Sequence, residues 1–358
     1  MNFDLGSARN LSFSGARGET GRYAALGLSA PAPGFNAQPG YTVTGDFSQL
    51  GNEITIEKDG GGFGTKPGGE KALYVALWED GHDVRGPDPS LSRVGDMSNI
   101  GGTGRHEIQS EVVPEGGVNA LQHNFEGSTS SGLIQFIYSS TGKELWFNRR
   151  RTNWDFTEIT ADGMKIWRLW HEGTGNHNVY WDTARVNKKI TAEYTGSNMT
   201  GVGHDIDTVK NNWVPEKIRI RQGDLDVQNA KTWWTLGGLE EVSPEFWSQR
   251  TVEGSGNNHG DRVGYYNFFA GPQEQGSAYD LEGMRSWHSF FYFDNSWCHA
   301  VLADSATFAD QGVTQEVQPI IGWQDGEVKI HCRPRQGLTH LHVIDQDYNS
   351  FYIGEISE

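Results

Sequence analysis

The sequence predicts an all-β fold, an antiparallel jelly-roll β-sandwich combined with a smaller β-sandwich. Apolar and polar residues alternate at period two in segment after segment, as in Ile54-Thr55-Ile56-Glu57-Lys58, which is the pattern of a half-buried strand. Glycine makes up 47 of 358 residues and falls between those segments, where positive φ angles let the chain turn. No segment sustains the 3.6-residue apolar period of a helix.

Residues 1–38, rich in Gly, Ala, Ser and Pro, read as an extended arm tied down by a neighbouring subunit. Tyr41–Thr44, Glu53–Glu57 and Lys71–Trp78 then read as strands. The cluster Gly60-Gly61-Gly62-Phe63-Gly64 between the last two is a tight turn, with Phe63 as its anchor to a core. Through the middle of the chain the clearest strands are Arg105–Val113, Leu133–Tyr138, Glu144–Arg149, Met164–Trp170, Lys217–Gln222, Val263–Phe269 and Ser289–Phe293. Short strands at this spacing suit a two-sheet antiparallel sandwich. Towards the end, Glu327–Cys332 alternates and Leu341–Ile344 follows a Pro-x-Gln-Gly turn. The opening and closing parts each hold about half the strands of a small sandwich. They are therefore expected to pair, residues 39–78 with 300–358, around an inserted jelly roll over 79–299.

A net charge of −17 opposes binding to a nucleic-acid backbone, and no apolar run approaches the roughly 18–20 residues of a membrane-spanning helix. The opening residues lack a basic and then apolar stretch, so no signal peptide is expected. Cys298 and Cys332 can form a disulfide or stay as buried thiols, and the missing secretion signal favours thiols.

Alternation sketches a groove. Arg168 and Trp170 share a face with Ile166, Lys217, Arg219 and Arg221 lie opposite Ile218 and Ile220, and Gln135 sits between Ile134 and Phe136. If these strands join Arg105–Val113 in one sheet, Arg105, Gln135, Arg168, Trp170, Arg219, Arg221 and Trp233 form a glycan-binding face. Guanidinium groups pair carboxylates, and indole rings stack on sugars. The plainer reading makes Arg105, Glu107, Glu216 and Arg219 cross-strand ion pairs. A polysaccharide lyase needs a cation or amide on the uronate carboxyl and a Tyr or His to take a proton. Arg105, Gln135, His106 and Tyr138 are of the right types. A glycosidase needs two carboxylates, and Asp205-Ile206-Asp207 and Asp224-Leu225-Asp226 are weak matches. Asp80, Asp83 and Asp88, in a loop with His82, and Asp205 with Asp207, are candidate ligands for Ca²⁺; no zinc spacing occurs. Arg149-Arg150-Arg151, beside Trp146 and Trp154, suits either an anionic glycan or acidic neighbours. Of Trp233 and Trp234, alternation leaves one ring outside the core.

The segment Ile54 to Lys66 resembles the opening hairpin of IPT/TIG-type immunoglobulin-like domains, and the closing strands resemble theirs. Lys165–Trp170, Asn212–Glu216 and the Phe291–Trp297 ending resemble the concanavalin A-like family of lectins, laminin-G domains and polysaccharide lyases. Uncharacterised phage and environmental proteins combine the two. The resemblance implies a non-enzymatic virion component, a capsid decoration or fibre protein on the virion surface (alternatively an extracellular protein). It would form homo-oligomers, contact other virion subunits through its arm and display a surface for cell-surface polysaccharide. The alternative is a lyase or glycoside hydrolase acting on an acidic polysaccharide.

Overall fold

The computed structural model describes residues 34–81, 88, 90–93, 99–101, 106–115, 117–124, 133–139, 142–153, 165–171, 178–184, 189–194, 203–224, 227–245, 263–268 and 285–357. The fold is all-β: antiparallel strands make four sheets, and the described residues contain no α-helix.

Strands from both ends of the chain build one sandwich. Its four-stranded sheet runs Tyr41–Thr44, Glu53–Lys58, Glu327–His331, Ile320–Gln324. Ile54 lies opposite Ile330, and Ile56 opposite Val328. Its five-stranded sheet runs Gly34–Ala37, Ser350–Ser357, His340–Ile344, His299–Ala303, Gln315–Gln318. The apolar alternates of the two sheets meet in a core of Ile54, Ile56, Ala300, Leu302, Val328, Ile330, Leu341 and Val343. Phe63 is buried in it, its ring edge-on to Phe351 at 5.5 Å between centroids. Gly60, Gly61, Gly62 and Gly64 take φ between 73° and 101° around it. Asp325 closes the turn: its carboxylate accepts the Gly64 N–H and its carbonyl the Phe63 N–H, both at 2.8 Å. A Cβ on Gly61 would stand 2.5 Å from that carboxylate.

The remaining strands form two larger sheets. The eight-stranded sheet runs Leu239–Val242, Lys231–Leu236, Val214–Arg221, Lys143–Thr152, Arg285–Asp294, Ala120–Asn124, His106–Gln109, with Tyr74–Ala76 also paired to Arg285–Asp294. The seven-stranded sheet runs Gly203–Asp205, Lys189–Tyr194, Asn178–Ala184, Lys165–His171, Val263–Phe268, Leu133–Ser139, Asn99–Gly101.

Side-chain contacts order the layers. Leu145, Phe147, Phe290 and Tyr292 of the eight-stranded sheet share a core with Val301, Val317 and Ile344, which lie on the outer face of the five-stranded sheet. On the other face of the eight-stranded sheet, Trp234 meets His204 of the seven-stranded sheet. Their ring centroids are 4.7 Å apart, and the His204 Nε2 lies 2.9 Å from the Trp234 carbonyl. Among the described residues the four sheets are thus stacked in the order four-, five-, eight- and seven-stranded, with the seven-stranded one at the outer end.

Several elements differ from the sequence reading. Lys71–Trp78 shortens to a strand at Tyr74–Ala76, followed by a 3₁₀ turn at Trp78–Asp80, and it joins the eight-stranded sheet. Its continuous apolar run is buried throughout, which suits an inner layer better than a half-exposed one. Gly34–Ala37, inside the segment read as an arm, is an edge strand held by the Phe35 ring stacked on Phe47 at 5.1 Å; residues 1–33 lie outside the described residues. Both cysteines are buried thiols, and burial pushes each up to about 12.

The sequence signatures have structural roles. Asp294 of the Phe-Asp-Asn-x-Trp ending is fully buried and bonded to Lys66 at 2.6 Å and Arg93 at 2.7 Å. The Trp297 Nε1–H donates to the Ile220 carbonyl at 3.0 Å. The glycine turn and the strand ending thus meet through the Lys66–Asp294 pair.

Candidate functional site

The seven-stranded sheet carries one continuous polar row. Reading directly across the strands, Asn99 pairs with Gln135, Gln135 with Asn267, Asn267 with Arg168, Arg168 with Tyr180, and Tyr180 with Glu193. Residues directly opposite one another share a face, so all of these lie on one side of the sheet. With strands about 4.8 Å apart the row is roughly 24 Å long. Next to it on the same face run Ile137, Tyr265, Trp170 and Asn178. On its other flank run Lys165, Asp182, Thr191 and Gly203.

The intervening positions are apolar. Ile134, Phe268, Trp167, Trp181 and Ala192 make one row, and Phe136, Tyr266, Leu169, Val179 and Tyr194 the next. His204 pairs with Ile190 in register with this set, and His204 packs on Trp234 of the eight-stranded sheet. The apolar face is therefore the one stacked inward, and the polar row lies on the outer face.

Three of the residues singled out by sequence, Gln135, Arg168 and Trp170, are brought together on that face. Others are not. Arg105 and Asp83 lie outside the described residues. The strand His106–Gln109 belongs to the eight-stranded sheet, and Tyr138 is opposite Gly264 on the inner face. The expected single sheet holding Arg105, Gln135, Arg168 and Arg219 is thus two sheets. Ile166 also does not keep simple alternation: a bulge between Lys165 and Trp167 puts Lys165 opposite Asp182, on the Arg168 face.

Arg219, Arg221 and Trp233 lie on the eight-stranded sheet, on the side facing the terminal sandwich. Arg219 is 8% exposed and stacked between aromatic rings, 3.6 Å from the Tyr348 centroid and 4.1 Å from that of Trp233. Asp310 sits 3.5 Å from it and also takes bonds from Lys217 and from the Tyr348 hydroxyl at 2.8 Å. Burial alone would raise the Asp310 carboxyl, but Lys217, Arg219 and Tyr348 outweigh it and hold it below the ordinary range. Lys217, wholly buried, is shifted down by burial against the pull of Asp310. Arg221 is at the margin, 3.3 Å from Glu245. Trp233 is half-buried edge-on to Trp297, and Trp234 is fully buried. The arginine triplet is likewise absorbed: Arg149 pairs with Glu316 at 2.9 Å, Arg150 with Glu216 at 3.3 Å, and Arg151 lies over Trp287.

The acidic candidates scatter. Asp80 lies 3.6 Å from the His331 Nε2, Asp205 is opposite Lys189, and Asp207 is in the 3₁₀ turn Ile206–Val209. Among the described residues no three His, Cys, Asp or Glu side chains gather as metal ligands.

Sequence reasoning missed Asn99, Asn267, Tyr180 and Glu193. Asn267 and Tyr180 each interrupt or edge an aromatic strand, Gly264-Tyr265-Tyr266-Asn267-Phe268 and Val179-Tyr180-Trp181. A polar residue inside an apolar alternation was the available signal, but its partners come from non-local pairing.

No family model matches the sequence, and no curated protein matches it. Among solved structures it is similar to the alginate lyase Aly36B, at 12% identity and TM-score 0.43, over 63% of this chain and 97% of that one. It is also similar to the PL-14 alginate lyase of Aplysia kurodai (11%, 0.36, covering 53% and 86%). A third is the endo-1,3-β-glucanase of Streptomyces sioyaensis (9%, 0.36, covering 64% and 98%). All three are named as polysaccharide-cleaving enzymes, against the expectation of a capsid decoration or fibre protein, which is not carried further. The likeness is one of β-sandwich fold.

Proposed function

We propose that the chain is a polysaccharide lyase, acting on a uronate-containing glycan laid across the outer face of the seven-stranded sheet. The observation that carries this reading is the row Gln135–Asn267–Arg168–Tyr180, which places two amides, a guanidinium and a phenol on neighbouring strands. Elimination at a uronate requires the carboxylate charge to be neutralised so that the C5 proton becomes acidic. Arg168, with Asn267 and Gln135 beside it, serves that need. Tyr180, one strand from Arg168, carries the proton. The C5–H bond breaks, a C4–C5 double bond forms, the C4–O bond breaks, and the leaving oxygen takes up a proton. Trp170 and Tyr265, in the adjacent row, supply stacking surface for the sugar rings.

A glycoside hydrolase is the second reading. Asp182 and Glu193 are diagonal neighbours on the same face, an arrangement with a Cα separation of about 7–8 Å. Cleavage in oxygen-labelled water separates the two. A lyase leaves an unsaturated uronate that absorbs in the ultraviolet and takes no label, whereas a hydrolase places label in the product without that absorbance. We further propose that residues 34–66 with 299–357 form an Ig-like module, to which Lys71–Trp78, paired in the eight-stranded sheet, does not belong. The support is the pairing of Glu53–Lys58 with Glu327–His331 and the shared core around Phe63.

A further inference from the structure

Lys217 and Asp310 meet in an arrangement that an ion pair alone does not require. Lys217 is on the strand Val214–Arg221, and Asp310 is in the loop between His299–Ala303 and Gln315–Gln318. Their side chains are bonded to each other, and each is 6% exposed. The Lys217 Nζ stands 5.4–5.8 Å from the ring centroids of Phe147, Phe308 and Tyr348, and bonds also to the Gln315 Oε1 at 2.8 Å. Keeping an ammonium and a carboxylate in so dry a place is costly, and burial shifts Lys217 toward the free amine. A second acid stands beside the pair. Glu240 is hydrogen-bonded to Asp310, and burial, then the Asp310 charge, raise its carboxyl above its ordinary value. The two Asp310 oxygens are held differently. Oδ1 takes the Lys217 Nζ, Oδ2 lies 3.5 Å from the Arg219 guanidinium, and the Tyr348 hydroxyl is 2.9 and 2.8 Å from them. Against Lys217 lies a cavity of about 20 Å³, lined also by Thr235, Gly238, Val313 and Gln315 and large enough for one water. The buried pair Lys66–Asp294 lacks the third member: among the described residues no second carboxyl is bonded to it.

We infer that Lys217 and Asp310 become joined by an amide bond, an intramolecular isopeptide cross-link formed without a cofactor, with Glu240 carrying the protons. Glu240 takes a proton from the Lys217 ammonium, and the freed amine attacks the Asp310 Cγ, against which it is already held. Negative charge develops on Oδ2, where Arg219 and the Tyr348 hydroxyl stabilise it. The Nζ–Cγ bond forms and the Cγ–Oδ1 bond breaks. Oδ1 leaves as water with the two protons shed by the nitrogen, relayed through Glu240, and the cavity beside Lys217 receives it. Ammonium and carboxylate thus become amide and water, with atoms and charge balanced and nothing oxidised or reduced. Two buried charges disappear, and Arg219 keeps Glu240, 3.9 Å away, as its counter-ion. The bond ties the eight-stranded sheet to the terminal sandwich across 93 residues of sequence, which restricts the unfolded chain.

The test is the intact mass of the denatured whole chain, followed by proteolysis. The wild type is expected to weigh one water less than its sequence and to yield a branched peptide joining the segments of Lys217 and Asp310. Asp310→Asn should reach the same joined mass by losing ammonia in place of water, which dehydration elsewhere in the chain does not imitate. Glu240→Gln should stand at its full sequence mass when freshly purified, as expected if joining slows at least about a hundredfold. Lys217→Arg, which keeps the charge, should never join. A wild type at full sequence mass without the branched peptide overturns the inference, and so does a loss of water that persists in Lys217→Arg. Glu240→Gln joined as fast as the wild type overturns the part given to Glu240. None of these outcomes bears on the lyase reading, whose residues lie on another sheet.

Discussion

Asp310 shows how a residue can be conspicuous in three dimensions and silent in sequence. Its carboxylate is the shared partner of Lys217, Arg219 and the Tyr348 hydroxyl in a nearly closed space. Removing one partner of such a group leaves the others charged and dry, so Asp310→Ala is expected to cost about 3–5 kcal/mol, read by denaturant titration. His299, beside the same cluster, is pushed down to about 3 by burial and by the Lys217 charge, from an ordinary 6.5. The unfolded chain therefore holds more protons than the folded one between those values. Stability is full above about pH 6.5 and is lost as pH falls toward 3, by up to about 1.4 kcal/mol per pH unit for one group. His299→Phe should flatten that slope between pH 6 and 4 whatever it does to absolute stability; an unchanged slope would place the acid sensitivity elsewhere. In the sequence, Lys217, Arg219 and Arg221 alternate on one face, and Arg219 and Arg221 read as part of a glycan-binding surface. The burial of Lys217 and Arg219 depends on Asp310, 93 residues away from Lys217, and no local pattern announces that.

Among the elements, the glycine turn was legible because its determinants are local. Positive φ angles, a central aromatic and flanking alternation all sit within thirteen residues, 54–66. Phe63→Ala should cost about 3–5 kcal/mol, because the ring fills a core shared by both terminal sheets. A loss under 1 kcal/mol in thermal or chemical unfolding would mean the turn is held by Asp325 and its backbone bonds alone. The strand Lys165–His171 was also legible, and its Arg168 and Trp170 lie on one face as alternation requires. Its bulge was not, and neither was the row that it enters. Register across six strands is set by non-local pairing, and alternation within a strand says nothing about which residue lies opposite. Asn267 enters the row because Val263–Phe268 lies between Lys165–His171 and Leu133–Ser139, a pairing that the sequence order does not suggest.

For the whole molecule, the stack of four sheets assigns different work to the two sandwiches. The terminal sandwich covers the eight-stranded sheet of the jelly roll with Val301, Val317 and Ile344, so the two share a hydrophobic core as well as the Asp310 cluster. Calorimetry should then show one cooperative transition; two well-separated transitions would mean that the sandwiches unfold independently. The opposite side of the jelly roll, the outer face of the seven-stranded sheet, is where the polar row lies and where the lyase chemistry is placed. The most direct test is the release of unsaturated uronate by three proteins, the wild type, Arg168→Ala and Arg221→Ala, on the same polysaccharides. The account predicts that Arg168→Ala loses at least about a hundredfold in rate, the effect of removing an interaction of some 2.7 kcal/mol, while Arg221→Ala stays near wild type. Activity retained by Arg168→Ala and lost by Arg221→Ala would contradict it and move the site to the opposite side of the jelly roll.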